Sequence, residues 1–156
     1  MNYWILTVTS QKSGSRVFAP VEIFQQRIED GFWGLGNRTP NQKTLARGDR
    51  VLFYLGKPVK GFGGTATLAS AAFELNEQEQ ERLSHGLEFY RAPFGVRFEN
   101  TEVWAKPRSV EGLLPILDFI EDKSVWGRYL QGGVRHVTEK DYMTIATQTS
   151  KSNLSA

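Results

Sequence analysis

Gly31-Phe32-Trp33-Gly34-Leu35-Gly36-Asn37, followed after a polar spacer by Leu45-Ala46-Arg47-Gly48-Asp49-Arg50-Val51-Leu52-Phe53-Tyr54, is the stretch from which the rest of the chain is best read. A tryptophan set among glycines makes a poor hydrophobic core, because glycine brings no side chain to the packing. The same arrangement holds a flat aromatic face beside open space. Gly48-Asp49 is a turn pair, and the apolar run behind it predicts a strand over Arg50–Leu55.

Upstream, Tyr3–Val8 is aromatic and β-branched and predicts a strand. Thr9–Arg16 is polar and predicts a loop. Pro20 suits the first turn of a helix whose apolar positions are Val21, Phe24 and Ile28 and which Gly31 ends. Downstream, Asn37–Lys43 reads as a loop and Gly61–Ala71 as a strand. Gly63 and Gly64 within it predict a bulge or a close backbone approach. Asn76–Ser84 is polar and charged, either a short exposed helix or a mobile insertion. Tyr90–Trp104 alternates apolar and polar residues and predicts a long strand. Leu113–Ile120 suggests a helical turn. Thr138 caps a last helix with Glu139 and Asp141 in its first turn and Tyr142, Ile145 and Ala146 inward. Residues 148–156 are expected to be a disordered tail after one domain, 1–147. Several strands with short helices predict an α+β fold around a small curved or barrel-like sheet.

The chain has 156 residues, no cysteine and a net charge of +2 at pH 7. The missing thiols exclude disulfides, thiol catalysis and zinc–thiolate sites. The N-terminus does not read as a signal peptide, and no apolar run spans a membrane, so a soluble cytoplasmic protein with no membrane partner is expected. The small positive charge permits a nucleic-acid partner through a local basic patch without demanding one.

Catalytic constellations are scarce. The two histidines, His85 and His136, are far apart. His85 reads as a solvated surface residue, and His136 as structural, phosphate-contacting or catalytic. Neither a nucleophile elbow nor a Walker lysine loop is present, and no His pair has metal spacing. The paired acids Glu29-Asp30 and Glu121-Asp122 read as solvated charges at element ends. No catalytic residue, metal or cofactor is therefore expected. Of the four tryptophans, Trp4 and Trp104 read as structural, whereas Trp33 and Trp126 each precede a glycine at an element boundary.

The order of these segments resembles the EVE domain family, itself similar to YTH domains within the PUA-like superfamily. The segments are Tyr3-Trp4-Ile5, Trp33-Gly34 with Asn37, Gly48-Asp49 with Val51–Tyr54, Gly61–Ala66, Tyr90–Pro93 with Val96, and Leu117–Trp126 followed by Gly132 and Glu139–Tyr142. The resemblance implies a PUA-like twisted, barrel-like sheet with flanking short helices, and a non-catalytic reader of DNA or RNA that takes a modified base into an aromatic pocket. It implies that Trp33 walls the pocket and that Asn37 lies close by. It implies further that Thr9 and Ser10 face the base and that Trp126, Arg128, Gln131, Gly132 and Arg135 lie near the backbone. Lys43 is expected to supply a further backbone contact. The second aromatic wall stays open among Phe62, Phe89 and Tyr90. A sensor of a free nucleoside or another planar ligand, or a protein-interaction domain, is the alternative use of the same pocket.

Overall fold

The computed structural model describes residues 1–155, with side chains as far as Thr147. The tail expected to be disordered, 148–156, falls outside the fully described residues. The strands are β1 (Tyr3–Val8), β2 (Gln11–Ser13), β3 (Arg16–Phe18), β4 (Phe32–Leu35), β5 (Arg50–Leu55), β6 (Gly61–Leu68), β7 (Phe73–Glu74), β8 (Phe94–Ser109) and β9 (Val134–Val137). The helices are α1 (Pro20–Asp30), α2 (Glu77–Ser84), α3 (Val110–Leu113) and α4 (Glu139–Ser155), with short 3-10 turns between elements.

One curled, half-barrel sheet has the order β4-β8-β6-β5-β1-β9, with β7 added beside β8. Among the described residues only β1 and β5 pair in parallel, Tyr3 opposite Arg50 through Val8 opposite Leu55. Strand β5 is central and buried along Val51–Leu55 because both its faces are covered. Val51, Phe53 and Leu55 join Trp4, Leu6 and Val8 in one core, closed by Ile23 and Phe24 of α1 and by Trp33 and Leu35 of β4. Leu52 and Tyr54 join Ile5 in the other core, closed by Val110, Leu117 and Ile120 and by Tyr142 and Ile145 of α4. Full burial of each such side chain contributes roughly 1.5–3 kcal/mol.

Several boundaries differ from the sequence-based expectation. Thr9–Arg16 is not all loop, because β2 pairs with β3 as a separate hairpin turning at Gly14. The long strand opens at Phe94, four residues later than expected, and runs on to Ser109; Tyr90 belongs instead to a 3-10 turn over Glu88–Tyr90. Asn76–Ser84 contains a helix, α2, whose Asn76 side chain accepts from the Glu79 N–H at 2.8 Å. In β6 the register shifts between Phe62 and Gly64, and a Cβ at Gly64 would stand 2.2 Å from the Glu102 carbonyl oxygen, so the strands approach there as only glycine allows. Thr138 does cap α4, accepting from the Asp141 N–H at 3.2 Å. Trp4 is 1% exposed, whereas Trp104 is only half-buried beneath the Arg108 guanidinium, 3.4 Å from its ring centre.

Gly48-Asp49 does more than turn the chain. The buried Asp49 carboxylate accepts from Trp4 Nε1 at 2.9 Å, from the Asn2 N–H at 2.9 Å and from the Ala46 N–H at 3.1 Å. It ties the start of β1 to the start of β5. Replacing Asp49 with Ala orphans a buried indole donor and two amides. The expected loss is about 3 kcal/mol in urea unfolding, and a loss below about 1 kcal/mol would show that the clamp is dispensable.

Candidate functional site

Two cavities meet at the C-terminal ends of β1 and β5. The deep one, about 160 Å³, is lined by Thr7, Val8 and Thr9 from β1 and its exit, Ile23 and Arg27 from α1, and Trp33, Gly34 and Leu35 from β4. Gln11, Thr39, Phe89, Gly133 and Val134 complete it. The wider one, about 500 Å³, carries Lys57, Lys60, Trp126, Gln131 and Gly132 on its walls. Thr7, Thr9 and Gly133 line both, so the two share a wall. That wall is fixed from several sides. Thr7 N–H donates to Gly133 O at 2.9 Å, Thr7 Oγ1 donates to Leu130 O at 3.0 Å, and Asn41 Nδ2 donates to Val134 O at 3.1 Å. Gly132 and Gly133 have φ of 98° and 85°, a backbone conformation that a side chain would strain.

Trp33 serves both core and cavity. Its ring stacks on Phe53 with centroids 5.3 Å apart and an interplanar angle of 29°, and it is 6% exposed. The alternation of β4 turns Phe32 to a satellite cluster with Leu75 and Leu83, and turns Trp33 and Leu35 to the cavity side.

The remaining residues singled out from sequence divide between locations. Thr9 lines both cavities; Trp126, Gln131 and Gly132 line the wide one. Phe89 lines the deep cavity and Tyr90 lies behind it, under Arg27. Phe62 is fully buried in the second core, against Tyr54. Asn37 and Lys43 line a third recess of about 280 Å³ with Phe73 and Phe94, apart from Trp33. Thr39, two residues beyond Asn37, is the one in the deep cavity. Ser10 and Arg128 are exposed, and neither lines these cavities. Arg135 points to the opposite sheet face, its guanidinium 5.2 Å from the Phe119 ring centre and 5.5 Å from that of Tyr129. His85 pairs with Asp30 at 2.8 Å, and His136 packs edge-on against Trp4.

Sequence inspection missed Arg27. The buried face of α1 is Pro20, Ile23, Phe24 and Arg27; Val21 faces solvent, and Ile28 is only half-buried. Arg27 lies four residues after Ile23 and three after Phe24, a position on the apolar stripe that a cation rarely takes. Its guanidinium lies 5.0 Å from the Tyr90 ring centre and 5.8 Å from that of Trp33, and Nη1 is buried without a hydrogen-bond partner. Burial pushes its pKa down to about 10, against smaller favourable contributions from Tyr90 and Asp30. Burial likewise pushes the pKa of the Tyr90 phenol up.

The EVE domain family model matches residues 2–148. The chain belongs to the EVE domain family. Solved structures with the same fold include a hypothetical protein from Leishmania major, 18% identical with TM-score 0.62 over 98% of this chain and 97% of that one. Human THYN1, crystallised in complex with 5-methylcytosine-containing DNA, is 12% identical with TM-score 0.58 over 92% of this chain and 94% of that one. ASCH from Zymomonas mobilis is 15% identical with TM-score 0.52 over 92% of each chain. The half-barrel of this EVE domain is thus a PUA-like fold. No curated protein matches the sequence at a significant level.

Arg27 carries its charge at neutral pH, and the burial cost is present in full below about pH 10. It is relieved only as pH rises from there toward the ordinary value of a free guanidinium. Arg27→Met keeps the apolar stem and removes the buried charge. At pH 7 it is expected to leave stability unchanged or raise it by up to about 3 kcal/mol in urea unfolding. A loss greater than about 1 kcal/mol would show that Arg27 is there for the fold.

Proposed function

We propose that this EVE domain is a non-catalytic nucleic-acid reader. One base, carrying a modification, enters the deep cavity beside Trp33, while the strand's backbone follows the wide cavity. The observation that carries this reading is the shared wall: a small aromatic-lined cavity opens next to a wider one bearing Lys57 and Lys60. At about 160 Å³ the deep cavity is below the roughly 300–1,000 Å³ of most small-molecule sites, a size suited to a base without its sugar and phosphate. Thr, Gln and backbone groups around it can donate or accept at a base edge, which is where specificity arises. Stacking on an aromatic contributes roughly 1–3 kcal/mol per base whatever its identity.

Binding of methylcytosine DNA by the THYN1 neighbour, on the same fold, supports a nucleic-acid partner. Among the described residues neither cavity is lined by a carboxylate or histidine, which favours binding over acid–base chemistry.

Thr9 is exposed at the rim, so Thr9→Trp can block the deep cavity without disturbing the core. With oligonucleotides holding 5-methylcytosine or an abasic site at one position, the wild type should bind the base-bearing strand about tenfold or more tightly. Thr9→Trp should erase that difference; equal binding by both strands in the wild type would refute base insertion. Lys57→Gln should lower the slope of log affinity against log salt by about 0.7–0.9, one phosphate contact. An affinity independent of salt would point instead to a free nucleoside.

A further inference from the structure

Arg27 is the one cavity residue that the packing of the fold does not explain. It is 8% exposed and stands on the apolar face of α1, where a methionine or leucine would fill the space at less cost. Among the described residues no acid forms an ion pair with it. Asp30, one turn along the helix, is held by His85 Nε2 at 2.8 Å and by Gln26 Nε2 at 3.2 Å. The guanidinium carbon lies instead 5.0 Å from the Tyr90 ring centre and 5.8 Å from that of Trp33, and its buried Nη1 has no hydrogen-bond partner among the described residues. Its terminal nitrogens lie over the backbone of Gly34, where a Cβ would meet both at 3.3 Å, and Arg27 itself lines the cavity. A buried cation with an unpartnered nitrogen on the lining of a cavity is a group set for a ligand.

We propose that Arg27 reads a carbonyl oxygen on the edge of the base in the deep cavity. It thereby selects cytosine, thymine, uracil or guanine over adenine. The inference rests on the base-insertion reading above. A guanidinium only donates, so it must meet an acceptor. Cytosine, thymine, uracil and guanine each carry a carbonyl oxygen. Adenine carries none; its N1 and N7 accept, but each lies beside the exocyclic amine, which would set donor against donor on the second arm of the fork. The planar fork also orients the base, which a point charge does not.

The test uses the full chain and short single-stranded oligonucleotides differing at one central position: cytosine, 5-methylcytosine, thymine, guanine, adenine or an abasic site. Affinity is read by fluorescence polarisation at several salt concentrations, with Arg27→Met and Arg27→Lys beside the wild type. The wild type should favour at least one carbonyl-bearing base over adenine by about tenfold. Arg27→Met should bring that base down to the adenine level with an unchanged salt slope, and Arg27→Lys should restore only part of the preference. Thermal unfolding establishes that each variant is folded; if Arg27→Met is not, Arg27→Lys decides, since full preference with lysine overturns the role of the fork. A folded Arg27→Met that keeps the preference overturns the inference. So does an equal loss on every oligonucleotide with a lower salt slope, the mark of a phosphate contact. In both cases a retained advantage of base over abasic site leaves base insertion standing. A wild type blind to the difference between base and abasic site removes both.

Discussion

The parallel pairing of β1 with β5 is the constraint on which the rest of the molecule depends. Parallel neighbours cannot be joined by a tight turn, so the intervening chain must cross over the sheet. Here the crossover carries α1 and β4, and with them Ile23, Arg27, Trp33 and Leu35. Parallel strands also end at the same side. Thr9 leaves β1 beside Gly56 at the end of β5, where the Gly56 N–H donates to Val8 O at 2.9 Å. The cavities form where the crossover meets those ends. At the opposite end Asp49 holds both strand starts together, so the site and its anchor lie at opposite ends of one strand pair.

That separation divides the labour among the aromatics. Trp4 and Trp33 belong to the same core, yet their surroundings differ in kind. Trp4 has its indole N–H satisfied by a carboxylate and its ring enclosed. Trp33 gives one face to Phe53 and remains on the wall of a space. A pocket wall that is also core is rigid, because moving it would unpack Phe53 and Phe98. Preorganisation of this kind lowers the ordering cost of binding a flat ligand.

Much of this was legible in the sequence where local chemistry agrees with tertiary context. The run Val51–Leu55, the Pro20 and Gly31 limits of α1, and the Thr138 cap all follow local rules. What was not legible depends on partners distant in the chain. Gln11–Phe18 is too polar to announce a hairpin, and Tyr90 continues an apolar pattern whose residues belong to two different elements. Trp33 could be singled out because its glycine neighbours are unusual. Asn37 was singled out with it, but the loop turns so that Thr39 comes nearer. Arg27 left no mark, since an arginine in a helix normally signals solvent. Only its three- and four-residue spacing from Phe24 and Ile23 hinted that it faces inward.

The unpaired guanidinium has a consequence for how this chain changes over generations. Most buried residues are retained because losing them unfolds the protein. Arg27, buried on the apolar face of α1 with an unpartnered nitrogen, is expected to have the opposite relation to its scaffold. In a lineage that ceased to use the cavity, drift would remove this arginine early, while Trp33, held by Phe53, would persist as a relic. An EVE domain with the tryptophan but an aliphatic residue at the position of Arg27 would then be a scaffold that has outlived its ligand.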